Sequence, residues 1–440
     1  MPEATISPDS EPERSEFHPG RGRRPGAPFP PLLRLAVLLL VARVSGRARG
    51  ENSVEYRFEN YQEDSDRIRI QTQAVRLDLE LNSRVAAKGQ FVYDAVSGAT
   101  PTGAPPPAGS TQVPVVTMED ARYAGSLEFP VRWGGRHTTT PQISYSEESD
   151  YQSTGFALNH SIDFNEKNTT LNVGLARNFD QASGTFQREF RHKETWDLLV
   201  GINQILGPHT HFTANLTFGY SDGYLSDPYK GVYFSFLYPD PALNFFPDTI
   251  AEVRPGHRFK QIFHASVTHF FERVQGSAEG SLRLYHDDFG ITSPTAGIAW
   301  HQKLGDKWTV SPFFRYYYQT AADFYGTQFT GDPLFLGGTR AAFAGPSFVA
   351  FEGDPGFPDP ADPAYQIVSV PSGPRYYSAD YRLSELQSFT YGIDVHWRPC
   401  DRFSADVGYR RYEMDGMDGL TPTSAYPSAH TVYAGITLWF

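Results

Sequence analysis

Cysteine is all but missing from this chain. Cys400 stands alone, so no internal disulfide can form, and no CxxC or Cys/His cluster marks a zinc site. Long apolar runs are missing as well. The single candidate, Leu32 to Val44, is broken by Arg34 and Arg43 and falls short of the roughly 20 residues a membrane-spanning helix needs. With 40% hydrophobic residues and a mean hydropathy of −0.43, a helical membrane protein is excluded. Excess positive charge is absent too: a formal net charge of −12 argues against nucleic acid or an anionic membrane surface as partner. No Gly-x-Ser-x-Gly elbow and no CxxCH occurs, which leaves serine hydrolysis and covalent haem attachment without support. From residue 51 onward no segment keeps a helical period over a normal helix length.

What is present is alternation. Aromatic residues make up 15% of the chain, with 33 Phe and 25 Tyr, and apolar residues recur at every second position in segment after segment. Examples are Val75/Leu77/Leu79/Leu81, Leu171/Val173/Leu175, Trp196/Leu198/Val200/Ile202, Phe263/Ala265/Val267 and Phe389/Tyr391/Ile393/Val395/Trp397. Short turns fall at Asn82-Ser83, Gly134-Gly135-Arg136, 165–168, 207–209, 304–307 and 399–401, with Cys400 an inert turn residue. Between them lie long connections rich in Pro, Gly and Asp near 97–120, 180–192, 226–257 and 326–378. Short on one side and long on the other is the asymmetry of periplasmic turns against extracellular loops. The expected fold is an all-β transmembrane antiparallel up-and-down barrel of about 16 strands, with long extracellular loops. A parity change between Arg67–Ile70 and Val75–Leu81 predicts a bulge near Thr72.

Arg21, Arg23 and Arg24 precede the apolar run, and small residues at Ala48 and Gly50 follow it. Residues 1–50 therefore read as an N-terminal extension and secretory signal peptide, and 51–440 as the barrel. The last strand places Ala434, Ile436, Leu438 and Phe440 on one face. Its pattern Tyr433-x-Gly435-x-x-Leu438-x-Phe440 is similar to the C-terminal signal read by the bacterial barrel-assembly machinery. The expected location is the outer membrane of a Gram-negative bacterium, with outer-membrane lipid and that machinery as partners.

Assigning the apolar parity to lipid leaves a lumen face of both signs. Its candidate residues are Lys88, Asp94, Glu279, Arg283, Arg315, Asp394, His396 and Arg410, with Asp380 and Arg382 at the mouth beside the 326–378 connection. These residues either pair with one another in a wetted lumen or form a charge ladder selecting a solute. The leading function is a porin-like channel for small polar solutes. The alternative is a plugged scaffold that docks envelope proteins. A rim hydrolase built on His286-Asp287-Asp288, with Asp415 or Asp418 opposite, is a third reading; solvated turn residues explain the same triplet, and no enzyme is expected. No cofactor, metal or nucleic-acid site is expected; the turn Asp415–Gly419 lacks the ligands of a full calcium loop.

Three separated segments carry something alternation does not explain: Tyr61-Gln62-Glu63-Asp64, the run from Tyr93 to Ala104 (YDAVSGATPTGA), and Ser378-Ala379-Asp380-Tyr381-Arg382-Leu383-Ser384. Together and in this order they resemble an uncharacterised Gram-negative family, domain of unknown function 3570. The resemblance implies an outer-membrane barrel over nearly all of 51–440 and an envelope redox or flavin-linked setting. Read physically, Ser97–Pro101 begins the first long loop, folded against the rim.

Overall fold

A strand with one apolar face exposes a row of unpaired backbone groups at any open edge, and lipid cannot satisfy them, so a membrane sheet has to close. The computed structural model describes residues 52–235, 248–331, 339–344, 349–351, 366–371 and 373–440; residues 1–51, where a signal peptide is expected, and much of the 326–378 connection lie outside these. Sixteen long strands form the barrel. They are β1 (Ser53–Glu63), β2 (Ile68–Glu80), β3 (Ala86–Pro101), β4 (Val115–Glu128), β5 (His137–Glu147), β6 (Tyr151–Phe164), β7 (Thr169–Ala182) and β8 (Arg191–Gly207). They continue as β9 (Thr210–Gly223), β10 (His257–Phe271), β11 (Gly276–Asp287), β12 (Thr292–Leu304), β13 (Trp308–Gln319), β14 (Leu386–Cys400), β15 (Phe403–Gly416) and β16 (Ser428–Trp439). Each pairs antiparallel with its chain neighbour, and β16 closes on β1 from Ser53 opposite Trp439 to Glu63 opposite Ala429.

Alternation sets the two faces. Ile298 is 62% exposed and Leu158 51%, and Leu175, Val200, Leu284 and Val407 lie on the same outer surface. Such exposure is ruinous in water and required in lipid, where a charge at mid-depth costs about 2–4 kcal/mol. Trp133, Trp300, Trp308 and Trp397, four of the six tryptophans, point outward at the short-turn end. Trp308 stacks on Trp397 at 5.6 Å. That ring of indoles marks an interface belt.

Tight turns at the short-turn end use Gly134, Gly135 and Gly305 at φ 59°, 73° and 65°, conformations that favour glycine. At the other end the connections 102–114, 183–190, 224–256, 320–385 and 417–427 are long, whereas 64–67, 148–150 and 288–291 are as tight as the turns opposite. The asymmetry is therefore real but partial. Two details differ from the sequence reading. There is no bulge near Thr72: β2 keeps unbroken register with both β1 and β3. Ile70 and Val96 change parity because at this height they line an internal cavity with Tyr61 and Thr72, so the apolar residues face inward. Ser97–Pro101 is strand, not loop: β3 pairs with β4 as far as Pro101 opposite Val115.

Candidate functional site: a plugged and charged lumen

Segments remote in sequence meet inside the long-loop end. The β9–β10 connection brings Lys230, Glu252 and Arg254, and the β13–β14 connection brings Ser378, Asp380 and Arg382. Asp380, 1% exposed, caps the one-turn helix Tyr381–Leu383 by accepting from the Arg382 backbone N–H at 3.1 Å. Its carboxylate also takes the Arg382 Nε at 2.9 Å and an Arg254 guanidinium nitrogen at 2.8 Å. Arg254 reaches Glu252 at 2.6 Å, and Arg382 reaches on to Asp227. Burial alone would push the Asp380 carboxyl up, but Arg382, Arg254 and Lys230 outweigh it and hold it well below the carboxylate range. Glu252 is pushed up by burial in spite of Arg254, and Lys230 is pushed down by burial. Lys230 Nζ donates to Thr100 Oγ1 at 3.1 Å and to the Pro101 carbonyl.

Apolar packing completes this plug. Val232, Phe234, Tyr377 and Ala379 form one cluster, with the Phe234 and Tyr377 rings edge to face at 4.7 Å. Phe289, Ile291, Ala322 and Leu383 form a second. The motif segments converge here. A Cβ added at Gly103 would lie 2.3 Å from the Gly231 carbonyl oxygen and 3.5 Å from Ala379 Cβ, so only glycine lets the first long loop press against the plug. Glu63, nearby on β1, pairs with Arg67 at 3.3 Å, and Arg67 in turn donates to the Ser424 and Ala425 carbonyls at 3.1 Å.

Below the plug, side-chain parity separates charge by wall. On β1–β7 the lumen face carries Glu55, Glu59, Asp78, Glu80, Asp94, Asp120, Glu128, Asp163 and Asp180, against Arg57, Arg76, Lys88 and Arg122. On β8–β15 the balance reverses: Lys193, Arg258, Lys260, Arg283, Lys303, Arg315 and Arg410 face Asp197, Glu279, Asp287, Asp394 and Asp406. Asp94 accepts from Arg122 at 2.7 Å and from Thr72 at 2.6 Å. Asp394 accepts from the Tyr433 hydroxyl at 2.6 Å, with Arg410 at 3.8 Å. Tyr433 lies between Arg57 and Arg410, their guanidinium carbons 3.9 and 5.1 Å from its ring centre. A Cβ on Gly408 would collide with that ring, so Gly408 gives Tyr433 its place against the wall. Lys88, Glu279, Arg315 and His396 lie on the lumen face away from the plug, and Arg283 lies on it in the cavity that Asp380 and Arg382 also line.

The sequence matches the profile of a family described as protein of unknown function (DUF3570), over residues 32–191 and 183–438. The chain belongs to that family. No curated protein matches it. Among solved structures, the siderophore receptor PirA from Pseudomonas aeruginosa is similar at 10% identity, covering 90% of this chain and 81% of that one, with a TM-score of 0.35. A bacterial polysaccharide outer membrane secretin covers 90% and 100% at 8% identity, with a TM-score of 0.43. OmpT of Vibrio cholerae covers 90% and 99% at 7%, with a TM-score of 0.39. Likeness at these identities concerns the fold alone.

In this DUF3570 barrel the His286-Asp287-Asp288 triplet does not gather into one constellation. His286 is exposed on the outer face and bonded to Thr292 at 3.0 Å. Asp287 is buried inward, where it accepts from Tyr285 at 2.5 Å, from the Phe289 and Ile291 backbone at 3.0 and 3.1 Å, and from Arg258. Its role is to shape the β11–β12 turn. Asp418 likewise closes its own turn, accepting from the Leu420 and Thr421 backbone at 2.9 and 3.0 Å. Sequence reasoning found Asp380 and Arg382 but missed Lys230, Glu252 and Arg254. Asp120, Glu148 and Asp150 also went unread; their carboxylates lie within 4.8 Å of one another. Burial, with Asp150 and Asp120 alongside, pushes the Glu148 carboxyl up to about 7.

Proposed function

We propose that the protein passes small polar solutes across the outer membrane through a water-filled lumen narrowed at its extracellular mouth by docked loops. The observation that carries this reading is the change of burial along the lumen. Arg315 on β13 is exposed although it points inward, and the Glu279 and Arg410 side chains keep 43% and 37% of their surface. At the long-loop end Asp380 and Lys230 fall to 1% and 2%. Charged groups stay on an enclosed face when water reaches them, because the desolvation cost is otherwise several kcal/mol per ion. Outer-membrane lipid is the partner of the apolar exterior, and Tyr433, Gly435, Leu438 and Phe440 are the residues assigned to recognition by the barrel-assembly machinery.

Liposome swelling tests it. Proteoliposomes are expected to swell in arabinose and progressively less in larger sugars; no swelling in any sugar would count against passage. A second reading, a plugged scaffold for envelope partners, is favoured by the buried ion network at the mouth. It predicts no swelling even after the plug is loosened by Asp380→Asn.

A further inference from the structure

A cavity of about 850 Å³ lies beneath the plug, lined by both walls and by Asp380, Arg382 and Leu383. Its basic wall comes from β8, β10 and β11. Two of its cations are already paired, Lys193 with Asp180 at 3.1 Å and Arg258 with Asp287, and Lys260 has Asp197 as a neighbour across Gly219. Arg283 is different. Its guanidinium carbon rests 5.2 Å from the Tyr285 ring centre, and it forms no ion pair among the described residues.

The opposite wall holds the complementary surplus. Glu148 and Asp150, at the β5–β6 turn, both line the same cavity. Asp150 takes the Tyr229 hydroxyl, which neutralises nothing, and Glu148 forms no ion pair among the described residues. One side of the cavity thus offers an uncompensated guanidinium and the other side uncompensated carboxylates. Burial pushes the Glu148 carboxyl up, so an ammonium group arriving beside it restores the charged form, while the half-buried Arg283 is left to take a carboxylate.

We propose that this cavity is a recognition site for small zwitterions, the carboxylate end held by Arg283 and the ammonium end by Glu148 and Asp150. This names the solute class for the passage reading above and rests on it for its role in transport, while binding itself is independent of passage. A bidentate guanidinium–carboxylate pair fixes one end of the solute. The acidic wall excludes dianions, and the basic wall excludes diamines.

Three probes of equal chain length separate the possibilities: 5-aminopentanoate, glutarate and 1,5-diaminopentane, titrated calorimetrically into the folded full-length barrel in detergent. The expected order places 5-aminopentanoate tightest. Arg283→Gln is expected to weaken it about tenfold, and Glu148→Gln similarly, as loss of a charge-assisted contact implies. Both variants are checked for folding by heat-modifiable migration, and the milder Arg283→Lys is expected to restore part of the affinity. Glutarate binding as tightly or more tightly, or no loss in either folded variant, overturns the proposal. Swelling in the same three solutes then separates the two readings. Zwitterion binding without swelling defeats passage and keeps the site; swelling without zwitterion preference or binding defeats the site and keeps passage.

Discussion

Asp380 joins two guanidinium groups from connections more than a hundred residues apart in sequence. Replacing one member of such a network leaves the others buried and unpaired, a loss of about 3–5 kcal/mol. Asp380→Asn is therefore expected to undock the plug without unfolding the barrel. Native-state hydrogen exchange should then accelerate at Tyr377–Leu386 and stay unchanged in β5–β8; uniform acceleration would mean the residue supports the whole fold instead. Glu148 supplies a pH dependence. Its carboxyl titrates at about 7 against an ordinary 4.5, so burial favours the neutral form. Stability from that group is full below 4.5 and is lost as pH rises through about 7. The groups facing it are Asp150 on its own turn, Asp120 and Arg122 on β4, and Asp94 on β3. Exchange at residues 147–151 is expected to quicken from pH 6 to pH 8, and Glu148→Gln to remove that response.

Among the elements, strands with bulky lipid-facing residues were the legible ones. Leu171, Val173 and Leu175 announce β7, and the turns at 82–83, 134–136 and 304–307 were readable from Asn, Gly and Asp. The strands β4, β5 and β12 were faint because their outward positions include Gly125, Pro141, Thr139, Pro294 and Ala296, which carry little hydrophobic signal. For that reason the first long connection shrinks from 97–120 to 102–114. The plug could be read only in part. Asp380 and Arg382 stood out through the Ser378–Ser384 motif and their shared parity, whereas Lys230, Glu252 and Arg254 sit in irregular chain with no period, and their partners are set by tertiary contact. Gly98 shows how tightly β3 is tied to its neighbour: at φ 130° a Cβ would fall 1.7 Å from the Arg67 carbonyl oxygen. Gly98→Ala is expected to cost about 1–3 kcal/mol in backbone strain, and more where the overlap forces β2 and β3 apart. A lower temperature for loss of the fast-migrating folded band would register it; an unchanged transition would show that the hairpin end adjusts freely.

For the whole molecule, the physical logic runs from a two-residue period to a closed sheet, and from a closed sheet to an enclosed polar lumen. An acidic wall on β1–β7 faces a basic wall on β8–β15, a division that single-strand reading cannot detect because it depends on which strands lie opposite after closure. The plug sits where these walls meet the long loops; under the proposed passage role the mouth, not the barrel's width, sets what enters. Single-channel conductance in planar bilayers tests this most directly, comparing the wild-type barrel with the Asp380→Asn variant, in which the plug is undocked. The account predicts small discrete steps in the wild type and larger steps in the variant. Equal conductance in both, or none in either, would contradict it.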